Sequence, residues 1–133
     1  MIFFLDTNIC IYFLKGMYPK IRENLQSKNP EFIKIPSIVK AELLYGAEKS
    51  NNRLSNIEKI QTFLEPFDII PFDDESSIAY SRIRSSLEQK GNTIGPNDYI
   101  IASIALAYNG TLITNNEKEF KKIKNLNVEN WTK

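Results

Sequence analysis

The chain contains no histidine among its 133 residues. Without an imidazole it cannot build a Ser-His-Asp or Cys-His catalytic unit, cleave RNA by imidazole acid-base chemistry, or bind zinc through histidine. Its single cysteine, Cys10, excludes a disulfide within the chain, and its apolar neighbours predict a buried core residue rather than a nucleophile. An enzyme of this composition would therefore work with carboxylates and a hard cation that prefers oxygen ligands.

Long apolar runs and a strong net charge are also missing. No run approaches the roughly 18 apolar residues that a membrane span needs, and the first residues lack the features of a signal peptide, so we expect a cytoplasmic protein without membrane contact. The net charge is +1, which gives no bulk signal for nucleic acid but allows a local basic surface beside an acidic pocket. The length predicts a single domain over residues 1–133.

The first eight residues combine a buried strand with a carboxylate. The run from Ile2 to Leu5 consists of large apolar side chains, as in a strand that is buried on both faces of a parallel sheet. Asp6 follows at the carboxyl end of this strand, where open α/β sheets bind their ligands. A second interpretation stays open, in which Asp6, Thr7 or Asn8 caps the following helix.

The rest of the chain alternates between strand and helix patterns. Further strands are predicted at residues 32–35, 67–72, 111–114 and 127–129, and helices at 9–14, 19–28, 37–48, 54–64, 76–89, 97–108 and 117–123. Such alternation predicts an α/β fold with a mostly parallel sheet of four to five strands and helices on both faces. Pro71 within the third strand predicts a position near the sheet edge.

Glu42 is an acid on an apolar helix face. It lies three or four residues from Ile38, Val39 and Tyr45, which are its neighbours on that face. A Glu that faces the sheet is costly to bury unless it is paired or bound to a metal. The alternative is a Glu that extends to solvent from the edge of the apolar stripe.

Two further polar clusters lie at element ends. Asp98 opens the most apolar helix, where a cap is the default interpretation, yet Asn97 could cap equally well and leave Asp98 free. Thr114 and Asn116 follow a predicted strand, and Asn116 with Glu119 three residues later has the outline of a capping box. A parallel α/β fold can gather Asp6, Glu42 and Asp98 at one sheet edge. This predicts a Mg²⁺ or Mn²⁺ site and phosphodiester hydrolysis by metal-activated water.

Four segments carry a family resemblance. They are Phe4-Leu5-Asp6-Thr7-Asn8, residues 37–46, residues 95–102, and residues 112–116 followed by Glu119-Phe120. In order and spacing these segments resemble the four motifs of PIN-domain ribonucleases, and in particular the VapC toxins of bacterial VapBC toxin-antitoxin pairs.

The resemblance implies a PIN-like α/β/α sandwich and a Mg²⁺- or Mn²⁺-dependent endoribonuclease that often acts on tRNA. It also implies a homodimer and a VapB-like antitoxin that occupies the active-site groove in a hetero-oligomer. Asp6 and Asp98 match the family's principal metal ligands, and Glu42 its third acid. Many members have an Asp at the position of Asn116, whereas members with Thr-Asn-Asn use the acid that corresponds to Glu119.

The resemblance thus gives two sets of candidate residues. The catalytic candidates are Asp6, Glu42, Asp98 and Glu119, and the positioning candidates are Asn8, Thr114 and Asn116.

Three other functions are compatible with parts of this pattern. A PIN nuclease of RNA processing is disfavoured by the short chain, which has no added RNA-binding domain. A degenerate PIN module that binds RNA or protein without cleavage is disfavoured by the intact Asp6, Glu42 and Asp98. A phosphatase with an aspartyl nucleophile is disfavoured because no second Asp follows two residues after Asp6.

Overall fold

A computed structural model describes residues 1–133. Its centre is a sheet of five parallel strands in the order β3-β2-β1-β4-β5. The strands are β1 Phe3–Leu5, β2 Ile33–Pro36, β3 Asp68–Ile70, β4 Thr111–Ile113 and β5 Asn127–Glu129. All five predicted strands are present, and β3, which precedes Pro71, is an edge strand as expected.

Seven α-helices flank the sheet. They are α1 Thr7–Leu14, α2 Pro19–Ser27, α3 Ser37–Glu48, α4 Arg53–Leu64, α5 Asp74–Gln89, α6 Pro96–Ala107 and α7 Glu117–Phe120, with a 3₁₀ turn at Pro30–Phe32. All were predicted, with differences at their ends. The largest is in α7, which ends at Phe120 rather than at residue 123. None of the helices combines the length and apolar character needed to cross a membrane.

The core forms around β1, the central strand. Phe4 and Leu5 are fully buried, because strands β2 and β4 cover both edges of β1 and helices cover its faces. Cys10 is also fully buried, and burial raises the pKa of its thiol, which confirms the predicted core role.

Three large apolar side chains on the helices are exposed, and one of them, Tyr45, was predicted to lie on an inward-facing stripe. Tyr45, Leu54 and Ile78 are 64%, 74% and 48% exposed. In α3 the buried stripe is Val39, Leu43 and Ala47, and Tyr45 lies about 200° around the helix from Leu43 at roughly 100° per residue. The inward stripe of α3 is therefore narrower than the sequence pattern suggested, and Glu42 lies at its edge.

The strand order creates a switch point at β1. From β1 the chain proceeds outward through β2 and β3 on one side, whereas β4 and β5 lie on the other side. At such a switch point, open parallel sheets bind ligands in a crevice beyond the carboxyl ends of the strands, here those of β1 and β4. Asp6 and Thr114 are the first residues beyond these two strands, so both enter this crevice.

Candidate active site

Asp6 is held by two elements at once. Its side chain is only 6% exposed, its Oδ1 accepts a hydrogen bond of 2.8 Å from the Thr7 backbone N–H, and its Oδ2 accepts one of 2.7 Å from the Thr114 hydroxyl. The first bond caps α1, which confirms the capping interpretation, and the second joins β1 to the end of β4. The carboxylate is thus fixed in the crevice. Burial raises its pKa, although both hydrogen bonds act in the opposite direction.

Glu42 reaches the same crevice through Thr7. The Thr7 hydroxyl donates a hydrogen bond of 2.7 Å to the Glu42 Oε1 atom, and the Glu42 side chain is half-buried. Glu42 thus lies at the edge of the apolar stripe and stays partly exposed, as the alternative expected, but a hydrogen bond from α1 holds its carboxylate. Thr7 was not predicted as a catalytic or positioning residue, although it lies within the first motif segment, directly after Asp6.

Asp98 lies in the first turn of α6 and does not cap it. The N-cap residue is Gly95, Pro96 opens the helix, and no side chain caps the free backbone N–H groups. The predictions that Asp98 or Asn97 caps the helix are therefore wrong, because Pro96 begins it one residue earlier than expected. The Asp98 side chain is therefore available for a role other than capping, as the interpretation of Asp98 as a site residue required.

The pKa of Asp98 is shifted by its burial and by the acids around it. Burial raises this pKa to about 6, and the negative charges of other carboxylates add to the shift. These carboxylates, in order of their effect, are Asp6, Glu42 and Glu119. The structure therefore brings the four predicted catalytic acids into one electrostatically coupled group.

Thr114 and Glu119 arrange the other side of the crevice. Thr114 is fully buried, and its hydroxyl oxygen accepts a hydrogen bond of 3.0 Å from the Asn116 backbone N–H. In a capping box the Glu119 carboxylate would accept a hydrogen bond from this same N–H. The predicted capping box therefore does not form. The Glu119 carboxylate instead forms an ion pair of 3.1 Å with the Lys122 ammonium.

Two of the predicted positioning residues lie outside this network. Asn8 and Asn116 are exposed, and neither side chain is hydrogen-bonded to the acids. Between Thr114 and Asn116, the Asn115 side chain donates a hydrogen bond of 3.1 Å to the Tyr12 hydroxyl. The roles of Asn8 and Asn116 stay predictions.

The acids have little neutralising charge within the chain. Asp6, Glu42 and Asp98 form no ion pair with Lys or Arg, and only Glu119 has a cationic partner. An oxygen-only donor set with excess negative charge fits Mg²⁺ or Mn²⁺. No three acids are close enough together to enclose a metal ion directly. Mg²⁺ usually keeps several of its waters and does not require three protein carboxylates.

Comparison with known proteins gives the family. A family model described as "PIN domain" matches residues 3–126. Ribonuclease VapC2 of Rickettsia felis is 48% identical over 135 residues, and the match covers 100% of both chains. The chain belongs to the VapC ribonucleases of the PIN-domain family.

Other relatives of this VapC family member are similar over their whole length. The tRNA(fMet)-specific endonuclease VapC of Salmonella typhimurium is 36% identical over 129 residues, which is 97% of each chain. Among solved structures, VapBC2 from Rickettsia felis bound to a promoter DNA fragment matches with a TM-score of 0.91 and 47% identity, covering 98% of this chain and 99% of that one. DNA-bound VapBC from Salmonella typhimurium matches with a TM-score of 0.93 and 35% identity, covering 98% of each chain. The predicted family and the PIN-like α/β/α fold are confirmed.

Proposed function

We propose that this VapC family member is a Mg²⁺- or Mn²⁺-dependent endoribonuclease and the toxin of a toxin-antitoxin pair. The observation that carries the proposal is the group of four coupled carboxylates at the switch point, three of them without a cationic partner. The names of the relatives support RNA as the substrate class, and one of them is named as specific for a tRNA. A cytoplasmic location, where RNA is available, is part of the proposal.

Each acid has a role that follows from its contacts. Asp6 and Asp98 would hold the ion, because Asp6 is fixed by two hydrogen bonds and the pKa of Asp98 is raised by burial and, to a smaller extent, by the negative charge of the other acids. When bound, such an ion supplies charge stabilisation at a phosphoryl oxygen and lowers the pKa of a water. Glu42, oriented by the Thr7 hydroxyl, would accept a proton from the attacking water.

The remaining residues would position these groups. Thr114 holds Asp6 in place, so the carboxylate does not need to reorganise during the reaction. Glu119, held by Lys122, would be the fourth acid of the site. The exposed amides of Asn8 and Asn116 would contact the RNA backbone at the rim.

A protein partner is also part of the proposal. The similar solved structures are VapBC assemblies, so we propose that this chain forms a homodimer and binds a VapB-like antitoxin in a hetero-oligomer. A cavity of about 1020 Å³ between α1, α3 and α4 is lined in part by Glu42, and we propose it as the groove that would receive the antitoxin. Light scattering of the purified chain tests the homodimer, and a mass of only 15.4 kDa would contradict it.

The activity test compares metal, chelator and variant proteins. Purified protein is incubated with tRNA and total RNA in Mg²⁺, in Mn²⁺ or in EDTA, and cleavage is followed by gel electrophoresis. We expect cleavage with either ion, none in EDTA, and none with Asp6→Asn or Asp98→Asn at unchanged far-UV circular dichroism. Wild-type cleavage by either folded variant would overturn the assignment of that acid. RNA binding without any cleavage would instead support a degenerate PIN module.

A further inference from the structure

A second cavity lies between α5 and the segment that follows α7. Its volume is about 280 Å³, and four of the residues that line it are cationic, whereas none is acidic. The cations are Arg82, Lys90, Lys122 and Lys124. Its floor includes Leu87 and Ile123, which are buried. We refer to this feature as the basic cavity.

Most of the positive charge in the basic cavity is not neutralised. Arg82, Lys90 and Lys124 are exposed and form neither an ion pair nor a side-chain hydrogen bond. By contrast, Arg84 on the same helix pairs with Glu88. In a chain with a net charge of only +1, three unpaired cations around one concave surface form a local concentration that attracts anions.

Lys122 connects the basic cavity to the acids. Its ammonium lies 3.1 Å from the Glu119 carboxylate and 3.5 Å from the Thr93 carbonyl oxygen, in the loop before α6. Lys90 follows the end of α5 just before that loop, whereas Arg82 lies eight residues earlier, about 12 Å along the helix at 1.5 Å per residue. The basic cavity therefore begins beside the acids and leads away from them.

We propose that the basic cavity binds the phosphate backbone of the RNA substrate next to the bond that is cleaved. This inference rests on the proposed ribonuclease function. The acids repel the polyanionic strand except where an ion is bound, so attraction must come from neighbouring surface. Lys and Arg on such a surface bind phosphates irrespective of sequence and fix the register of the strand on the protein.

The test measures RNA binding without cleavage. Lys90→Gln and Lys124→Gln are combined in the Asp6→Asn background, and the fluorescence anisotropy of a labelled single-stranded RNA is followed between about 50 and 200 mM salt. The matched control combines Lys20→Gln and Lys49→Gln, two exposed lysines elsewhere in the fold that also lack ion pairs and line neither cavity. Arg82→Gln alone serves as an independent variant of the same cavity.

We expect the Lys90/Lys124 double variant to bind RNA roughly three- to tenfold more weakly than its parent. The slope of log affinity against log salt should fall by about 0.7 for each lost phosphate contact, with the control unchanged. If both double variants bound RNA equally weakly, the loss of affinity would follow from net charge alone, and the proposal would be overturned. Unchanged RNA binding by both double variants would also overturn it. Displacement of the RNA by micromolar inorganic phosphate would make the basic cavity a small-anion site and would also overturn it. Because binding is measured in a variant that does not cleave, failure of the nuclease assay with wild-type protein would leave this result interpretable.

Discussion

Glu119 is the residue whose role changed most between sequence and structure. Its side chain is partly exposed and pairs with Lys122 rather than with the backbone of Asn116. Glu119→Gln should therefore leave the melting temperature nearly unchanged, since an exposed ion pair contributes only about 0–1 kcal/mol. If the carboxylate serves the reaction, cleavage should fall at least tenfold, which corresponds to about 1.4 kcal/mol of transition-state stabilisation. Both quantities are measured on one preparation, by calorimetry and by initial cleavage rates.

Asn116→Asp is the matched control for this change. It adds a carboxylate at the position where many family members have one, and Asp remains a good N-cap residue, so we expect it to be tolerated. Cleavage by Glu119→Gln at the wild-type rate in saturating Mg²⁺ would show that the site works with three acids.

Asp98 should destabilise the fold when no cation is present. Its carboxylate is partly buried among three others, so in EDTA at neutral pH Asp98→Asn should melt at a higher temperature than wild type. Added Mg²⁺ should raise the melting temperature of wild type more than that of the variant, because an ion that binds only the folded state stabilises it. Differential scanning fluorimetry with and without EDTA measures both effects.

Glu23→Gln is the control for Asp98→Asn. Glu23 is an exposed acid on α2 without an ion pair, so its change should not alter the response to Mg²⁺. A lower stability of Asp98→Asn in EDTA would argue against repulsion among the acids.

At the scale of elements, β1 and β4 approach each other through a glycine. A Cβ on Gly110, just before β4, would lie 2.5 Å from Cε2 of the buried Phe4 ring and 3.2 Å from the Ile2 carbonyl oxygen. Gly110→Ala must therefore displace part of β1, and overpacking of this kind costs roughly 1–3 kcal/mol. Urea denaturation measures the loss. A shift of β1 would also move Asp6, so cleavage should decrease as well.

Gly46→Ala provides the opposite case in the same chain. Gly46 lies within α3, and a Cβ there would meet no atom within 4 Å. Ala at this position should stabilise the protein by about 0.5–1 kcal/mol, because Ala loses less backbone entropy in a helix than Gly. If Gly110→Ala were as stable as wild type, the close approach of Phe4 would not constrain the sheet.

The helix α7 is joined to the end of the chain by Glu117. Its carboxylate accepts a hydrogen bond of 2.8 Å from the Asn130 amide and forms ion pairs with Lys133 and Lys121. These contacts lower the pKa of Glu117 from 4.5 to about 2, with the Asn130 hydrogen bond as the largest cause. The Glu117 carboxylate thus binds a proton less tightly in the folded state than in the unfolded state. Its stabilising contribution is present above pH 4.5 and is lost as the pH falls towards 2.

Glu117→Gln should remove this part of the acid sensitivity. The melting temperature of the variant should fall less steeply than that of wild type as the pH decreases from 4.5 towards 2. Thermal denaturation by circular dichroism over this range provides the comparison. Parallel curves for the two proteins would contradict the prediction.

The strands and helices could be predicted from the sequence because the residue patterns that define them are local. The apolar run before Asp6 and the uniformly apolar α6 fix a strand and a buried helix without reference to the rest of the chain. Contacts between elements are a different matter. The Thr7 hydroxyl donates a hydrogen bond to Glu42 on another helix. The Thr114 hydroxyl oxygen accepts a hydrogen bond from the Asn116 N–H, which the capping box would have used. The first contact joins residues 35 positions apart, which no local rule covers, and in the second a competing contact only two residues away uses the donor of the capping box.

Across the whole molecule, a net charge of +1 conceals a separation of charge. The unpaired acids lie in the crevice beyond β1 and β4, and unpaired cations surround the basic cavity beside it. The pattern could not be derived from composition, because the cations belong to two segments that only the fold brings together. Lys122 marks the boundary between the two regions through its contact with Glu119.

The hydrogen bond from Thr114 to Asp6 joins residues 108 positions apart. Ribosomes synthesise a chain from its amino end, so Asp6 emerges early and remains without this partner until β4 has been made. Asp98 is likewise added only late in synthesis. An unfinished chain therefore carries isolated carboxylates rather than an assembled site. If the proposed activity is correct, the ribosomal and transfer RNA that produce this nuclease are protected from it during almost the entire time of its translation.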